Sequence, residues 1–234
     1  MVKHAVPSTG SKFKVSTPVH SMVYGYDREK AFPGQPAQLF SMGTEMAANN
    51  EGLIYPFFVV EFKGDGPCGA GSLWVATNQC LRASASCVAI AESLNRQLRR
   101  CHNDRVQPMD NAAFSVAMSG TEARLYISWK HYELDYYMAN VESFLLQKPK
   151  DYLEFRKYVR NIIDWGKDKR LKAMRDSLGS LLEESRRRSS DTAKSRPPPS
   201  EGSGTQKHNL LDEGNGGNGA FPARGVGGEV TDEV

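Results

Sequence analysis

The stretch LIYPFFVVEFK, Leu53 to Lys63, limits what this chain can fold into more than any other segment. Aromatic and β-branched residues dominate it, and such residues suit a pleated strand in a protein interior. Pro56 stands near its start, where a missing N–H is tolerable. Two charges, Glu61 and Lys63, close the run, and the Gly-rich loop GDGPCGAG follows. A helix is then expected from about Leu73 to Cys101, because Cys80, Ala83, Cys87, Ile90, Leu94 and Leu98 recur at steps of three and four. Its inner residues are small (Ala, Ser, Cys), so it can lie close against a sheet.

Further strands are expected at MVYGY (22–26), AAFSVAMSG (112–120), ARLYISWKH (123–131) and YYMANVESFLL (136–146). A turn-rich connection, DREKAFPGQPAQ, follows the first of them, and SGTEA turns the second into the third. Helix ends the domain from Asp151 onward, interrupted or kinked at Gly166, with Tyr152, Phe155, Val159, Ile162 and Ile163 on one apolar side. The order strand, strand, long helix, strands, helices implies an α/β core with mixed pairing. No internal repeat is visible. Composition shifts near residue 185 to Gly, Ser, Pro and charge, so residues 185–234 read as a disordered tail, and residues 1–14 as a flexible N-terminus. The domain proper is residues 15–184.

Charge is informative through its distribution. The formal net charge is +3, yet residues 185–234 hold seven Lys/Arg and seven Asp/Glu, so the excess belongs to the folding part. Cys68, Cys80, Cys87 and Cys101 form no CxxC pair, and structural zinc wants tighter spacing. They read as small buried residues in a reducing compartment. The N-terminus lacks the apolar core of a signal peptide, and the longest apolar run, Leu53 to Val60, is far short of a membrane span. The expectation is an intracellular protein of cytoplasm or nucleus, with no membrane partner.

Residues two apart on a strand point the same way, so Glu61 and Lys63 share a face. A carboxylate at a strand end can hold Mg²⁺, which wants hard oxygen ligands. A lysine beside it can steady charge that develops on a phosphoryl group. A second carboxylate from a neighbouring strand is normally required. The plainer reading is that both charges emerge into solvent where the strand ends, since a bare E-x-K triplet arises by chance in most proteins. The context of buried strand, Gly-rich turn and long helix weighs on the other side.

The string YPFFVVEFKGDG…WVATNQCLRASASCVAIAESLN…FSVAMSGTEARLYISWKH…SFLLQKPKDYLEFRKYVRNIIDWGKDKRL resembles a fungal family of uncharacterised proteins, itself similar to the PD-(D/E)XK, or restriction-endonuclease-like, nuclease superfamily. The resemblance covers about residues 15–180. It implies a restriction-endonuclease-like mixed β-sheet flanked by helices. It also implies that Glu61 and Lys63 are the E and K of the motif, that Glu61 ligates Mg²⁺ if the protein is active, and that Gln79 on the long helix assists. One departure stands out. Where the family has Pro-Asp before MVYGY, this chain has His20-Ser21. Serine is neutral and a weak ligand, and histidine suits softer ions than Mg²⁺. Asp27, Asp65 and Asp110 are the other carboxylates to weigh.

Two basic clusters are candidates for phosphate contact. One is Arg96, Arg99, Arg100 and Arg105. The other lies in Arg156–Arg175, with eight Lys/Arg against two acids, and includes Lys167, Lys169 and Arg170. Solvated helix faces would look the same. Trp129, Tyr132, Tyr136, Tyr137 and Trp165 could stack bases or pack a core. His102, His131 and His208 stand alone without a triad order, and GDGPCGAG lacks the Lys-Ser/Thr of a P-loop. Two functions therefore remain open: a metal-dependent phosphodiesterase acting on nucleic acid, or a non-catalytic module that binds nucleic acid or protein through the same fold.

Overall fold

The computed structural model describes residues 21–64, 72–100, 108–132 and 135–194. Strands β1 (Met22–Asp27), β2 (Leu53–Phe62), β3 (Ala113–Met118), β4 (Glu122–Lys130) and β5 (Tyr136–Leu145) lie side by side in chain order as one five-stranded sheet. The pair β2–β3 is parallel and every other neighbouring pair is antiparallel. A parallel pair needs a long crossover, and helix α2 (Leu73–Arg100) supplies it. A short helix α1 (Pro36–Ser41) follows β1, within and just past the stretch expected as irregular connection. Helix α3 (Pro149–Trp165), a π-helical turn (Gly166–Arg170) and helix α4 (Leu171–Lys194) complete the fold. The protein is a mixed α/β domain with its sheet flanked by helices.

Helices on both sides explain the unbroken apolar run of β2. On one face, Val59 and Ala113 pack against Ala83, Cys87 and Val88 of α2, and Ala117 and Tyr126 pack against Ala76 and Cys80. All six residues of the expected apolar stripe, from Cys80 to Leu98, are buried. On the other face, the Phe144 ring meets Phe155 and Tyr158 of α3, and Phe114 meets Trp165 edge-on.

The pairing of β1 with β2 carries a bulge. Tyr24 lies opposite Phe58, but Tyr26 lies opposite Ile54, so two steps along β1 match four along β2. Tyr55 takes the extra turn with φ of 44°, a left-handed conformation that tyrosine adopts rarely. Pro56 therefore sits inside the bulge, before β2 begins to pair with β3 at Phe58, and its missing N–H interrupts no ladder there. Gly25 faces the bulge, and a Cβ on it would stand 2.8 Å from the Ile54 carbonyl oxygen.

Arg170 buttresses this bulge from the π turn. It is buried, and its Nη1 donates to the Tyr55 carbonyl at 3.1 Å and to the Tyr26 hydroxyl oxygen at 3.3 Å. Tyr26 in turn donates its O–H to the Gly166 carbonyl at 2.7 Å. The rings of Tyr26, Phe57 and Trp165 surround the guanidinium carbon at 5.4–5.8 Å. Gly166 itself is needed because a Cβ there would overlap the Phe57 ring at 2.2 Å. The interruption expected at Gly166 is thus a widened helical turn that lets an arginine enter the core. Arg175, one turn further, donates twice to the Ala31 carbonyl, at 2.7 and 2.9 Å.

Two expectations need correction. Arg170 does not face solvent, so it is removed from the phosphate-binding candidates: its charge is spent on a carbonyl, a hydroxyl and three rings. The helix also outruns the compositional boundary at 185. Ten residues of the expected tail continue α4, where Glu184 pairs with Arg187 and Arg188 three and four positions on. Residues 195–234 and 1–14 lie outside the described residues.

Replacing Arg170 by alanine opens a void and strands the Tyr55 carbonyl, so it should lower stability by roughly 2–4 kcal/mol. Lys169→Ala, exposed in the same turn, should stay within about 0.5 kcal/mol of the parent. Urea midpoints at unchanged slope measure both, and equal midpoints for the two variants would contradict the role given to Arg170.

Candidate functional site

The register that follows the bulge puts Ser21, the residue before β1, directly across from Glu61 near the end of β2. Met22 pairs with Val60, so the next position outward matches Ser21 to Glu61. The Ser21 N–H and Oγ both donate to Glu61 Oε2 at 3.4 Å, and Ser21 Oγ accepts from the Phe62 N–H at 3.1 Å. Glu61 is 1% exposed and lies on the α2 face, beneath Cys80. The Lys63 N–H donates to the Met118 carbonyl at 3.0 Å, which carries the parallel ladder one residue beyond β2. Lys63 is half-buried and continues the alternation that puts it on the Glu61 side.

Gln79 stands on the second turn of α2. Thr77, on one flank of the helix, reaches the Tyr126 hydroxyl of β4 at 3.3 Å. At about 100° per residue, Gln79 lies on the opposite flank, toward β2. Its Oε1 is buried without a hydrogen-bond partner among the described residues. On the far side of Glu61, Ala117 of β3 leads to Arg124 of β4, which is paired with Glu122 at 2.7 Å. Glu61 thus lies beneath the first turns of α2 with Ser21 across from it, Lys63 two residues on in the same strand and Gln79 next to Cys80 in the helix.

Of the other carboxylates weighed, the two that are described, Asp27 and Asp110, do not join them. Asp27 closes the opposite end of β1, six residues from Ser21 and so about 20 Å away. There it caps the Glu29 and Lys30 N–H groups at 2.9 Å. Asp110 precedes β3, at the other end of the sheet, and accepts from the Ala112 N–H. Asp65 and His20 lie outside the described residues. Among the described residues, no group of three or more His, Cys, Asp or Glu is placed to hold a metal ion.

The basic candidates do not converge on the site either. Arg96 follows Cys80 by sixteen residues of helix, about 24 Å. Arg99 is ion-paired with the buried Glu92, which also accepts from Asn95 and Asn111 at 3.2 and 3.0 Å. Burial works to raise the Glu92 carboxyl, but hydrogen bonds from Arg99, Asn111 and Asn95 prevail and hold it below the ordinary range. This cluster borders a polar pocket of about 600 Å³ at the end of the sheet remote from Glu61. Arg100 is exposed at the end of α2. Lys167 and Lys169 are exposed in the π turn, and Lys167 borders the α3 side of the sheet, opposite the face that carries Glu61.

Residues 3–178 match the family described as Domain of unknown function (DUF7924). The chain belongs to this family. No curated protein and no solved structure matches it. Among the described residues, no helix is long and apolar enough to cross a membrane.

The DUF7924 domain buries two of its cysteines, Cys80 and Cys87. Burial pushes the Cys80 thiol up to about 12, and the neighbouring Glu61 carboxylate acts in the same direction. Burial also pushes Cys87 up to about 12. In a Cys68→Ser, Cys101→Ser background, neither thiol should react with DTNB at pH 8 until the chain unfolds. The folded state keeps both protons while the unfolded chain loses them above about 9, so stability should fall as pH rises from about 9 toward 12. Rapid reaction of the folded Cys68→Ser, Cys101→Ser chain would contradict this placement.

Proposed function

We propose that this domain is a nuclease-like fold whose metal site is short of a ligand, and that it works as a binding module rather than as a phosphodiesterase. The observation that carries the reading is the pair Ser21–Glu61. The position across from the strand-end carboxylate holds a neutral hydroxyl, 3.4 Å from Glu61 Oε2. Mg²⁺ takes a near-octahedral shell of hard oxygens and gives up its waters reluctantly, so sites for it rest on one or two carboxylates with help from the substrate. Among the described residues the Ser21–Glu61 pair offers one buried carboxylate and a neutral hydroxyl, the weaker end of that range.

A second reading, a metal-dependent phosphodiesterase acting on nucleic acid, draws support from Glu61, Lys63 and the unpartnered amide oxygen of Gln79 lying around one end of α2. It asks for a basic track that leads substrate to this end. The cations are instead dispersed: Arg170 is buried, Arg99 is paired, and Arg96 and Arg100 sit at the far end of the helix. The distance of these arginines from Glu61 weighs against a nucleic acid being led to this site.

The test is incubation of plasmid, single-stranded DNA and single-stranded RNA with the full chain in Mg²⁺ or Mn²⁺, beside its Lys63→Ala variant. The expected result is no degradation above that of the variant. Cleavage by the parent that Lys63→Ala abolishes would overturn the binding-module reading.

A further inference from the structure

Between β1 and α3, on the sheet face opposite Glu61, runs an open groove of about 500 Å³. Its floor is Met22, Val60 and Met118, one residue from each of three adjacent strands, and its inner wall is Val159 and Ile163 of α3. Along its upper edge stand Arg156, Arg160 and Lys167, all exposed, against the single acid Asp164. These rim residues span twelve positions of helix and π turn, about 16 Å from first to last and close to three helical turns of a partner. The apolar surface continues beyond the groove, since Met22 is 54% exposed and Phe62, next to Met118 across the sheet, is 48% exposed.

We propose that this groove docks an acidic amphipathic segment of a partner protein, its apolar side chains on the Met22–Val60–Met118 floor and its carboxylates on Arg156, Arg160 and Lys167. Charge complementarity selects the occupant: the rim has a net charge of two positive, set over an apolar trough, which is the complement of a helix with one acidic edge. Methionines at two of the three floor positions suit a surface that adapts to side chains of varied shape. A stack of nucleobases fits less well. Phe58 is fully buried and the half-buried Tyr24 spends one ring face on it at 5.4 Å, so Met22, Val60 and Met118 rather than open ring faces dominate the strand side of the groove. The chain's own residues before β1 also match poorly, because residues 1–20 hold three lysines and no acid. This proposal adds a site and a partner class to the binding-module reading, but it does not require the Glu61 site to be silent.

The experiment is selection of displayed random 16-residue peptides on the full chain, followed by anisotropy titration of the enriched peptides. The probes are those peptides and, separately, a single-stranded 20-nucleotide DNA. Enriched sequences should carry Asp or Glu beside apolar residues spaced three and four apart. Their affinity should fall at least tenfold with Arg156→Glu/Arg160→Glu, and likewise with Met22→Glu, both at exposed positions, while the 20-mer is unaffected by either variant. Circular dichroism of the variants confirms that the loss is one of binding. Absence of enrichment, enriched peptides without acids, or unchanged binding to both variants would overturn the proposal. So would a 20-mer whose binding vanishes with Arg156→Glu/Arg160→Glu, since the groove would then take nucleic acid. A nuclease result for the Glu61 site leaves each of these outcomes readable.

Discussion

The bulge in β2 is the constraint on which the candidate site rests. Two extra residues in one strand shift every pairing beyond them, and a shift by one residue would turn the outward half of the strand to the other face. With the bulge in place, Ser21 meets Glu61 and the carboxylate lies on the α2 face. The bulge asks Tyr55 for a backbone conformation that it disfavours, and Arg170 holds it there by taking up the Tyr55 carbonyl while its flat cation lies among three rings. An arginine 109 residues beyond Glu61 in sequence thus fixes what stands beside that acid.

This arrangement divides the sheet into two surfaces with different chemistry. The α2 face is closed and dense: small side chains on α2 (Ala76, Cys80, Ala83) let it lie close, and buried serines such as the Ser84–Ser128 pair at 2.8 Å sit between helix and sheet. The α3 face is only partly covered, because α3 crosses it with larger side chains and leaves a trough beside β1. The same helix therefore packs the core through Phe155 and Tyr158 and presents cations at its outer edge. The two proposed sites divide along the same line, with the Ser21–Glu61 pair on one face and an open apolar groove on the other.

Much of this was legible in the sequence because it is local. Strand composition located all five strands to within a few residues, and the three-and-four spacing located α2. The alternation rule placed Glu61 and Lys63 on one side. Residues that act across the fold were not legible. Arg170 sits in a run of lysines and arginines whose composition says solvent, and nothing local marks it as the one that turns inward. The short helix α1 lay in and beyond a Gly- and Pro-rich stretch, where turn signals mask one turn of helix. Extension of α4 past Ser185 depended on Glu184 finding Arg187 and Arg188, a pairing that bulk composition hides. The separation of the basic clusters from Glu61 follows from helix length and sheet face together, and neither is written in a charge count.

On the proposed reading, serine at position 21 gives Glu61 no second anionic ligand for a divalent ion among the described residues. Isothermal titration of Mn²⁺ into the parent chain and into Ser21→Asp measures this directly. The expected result is no saturable site in the parent and one site per chain in Ser21→Asp, lost again on adding Glu61→Gln. Stoichiometric Mn²⁺ binding by the parent that Glu61→Gln removes would contradict it.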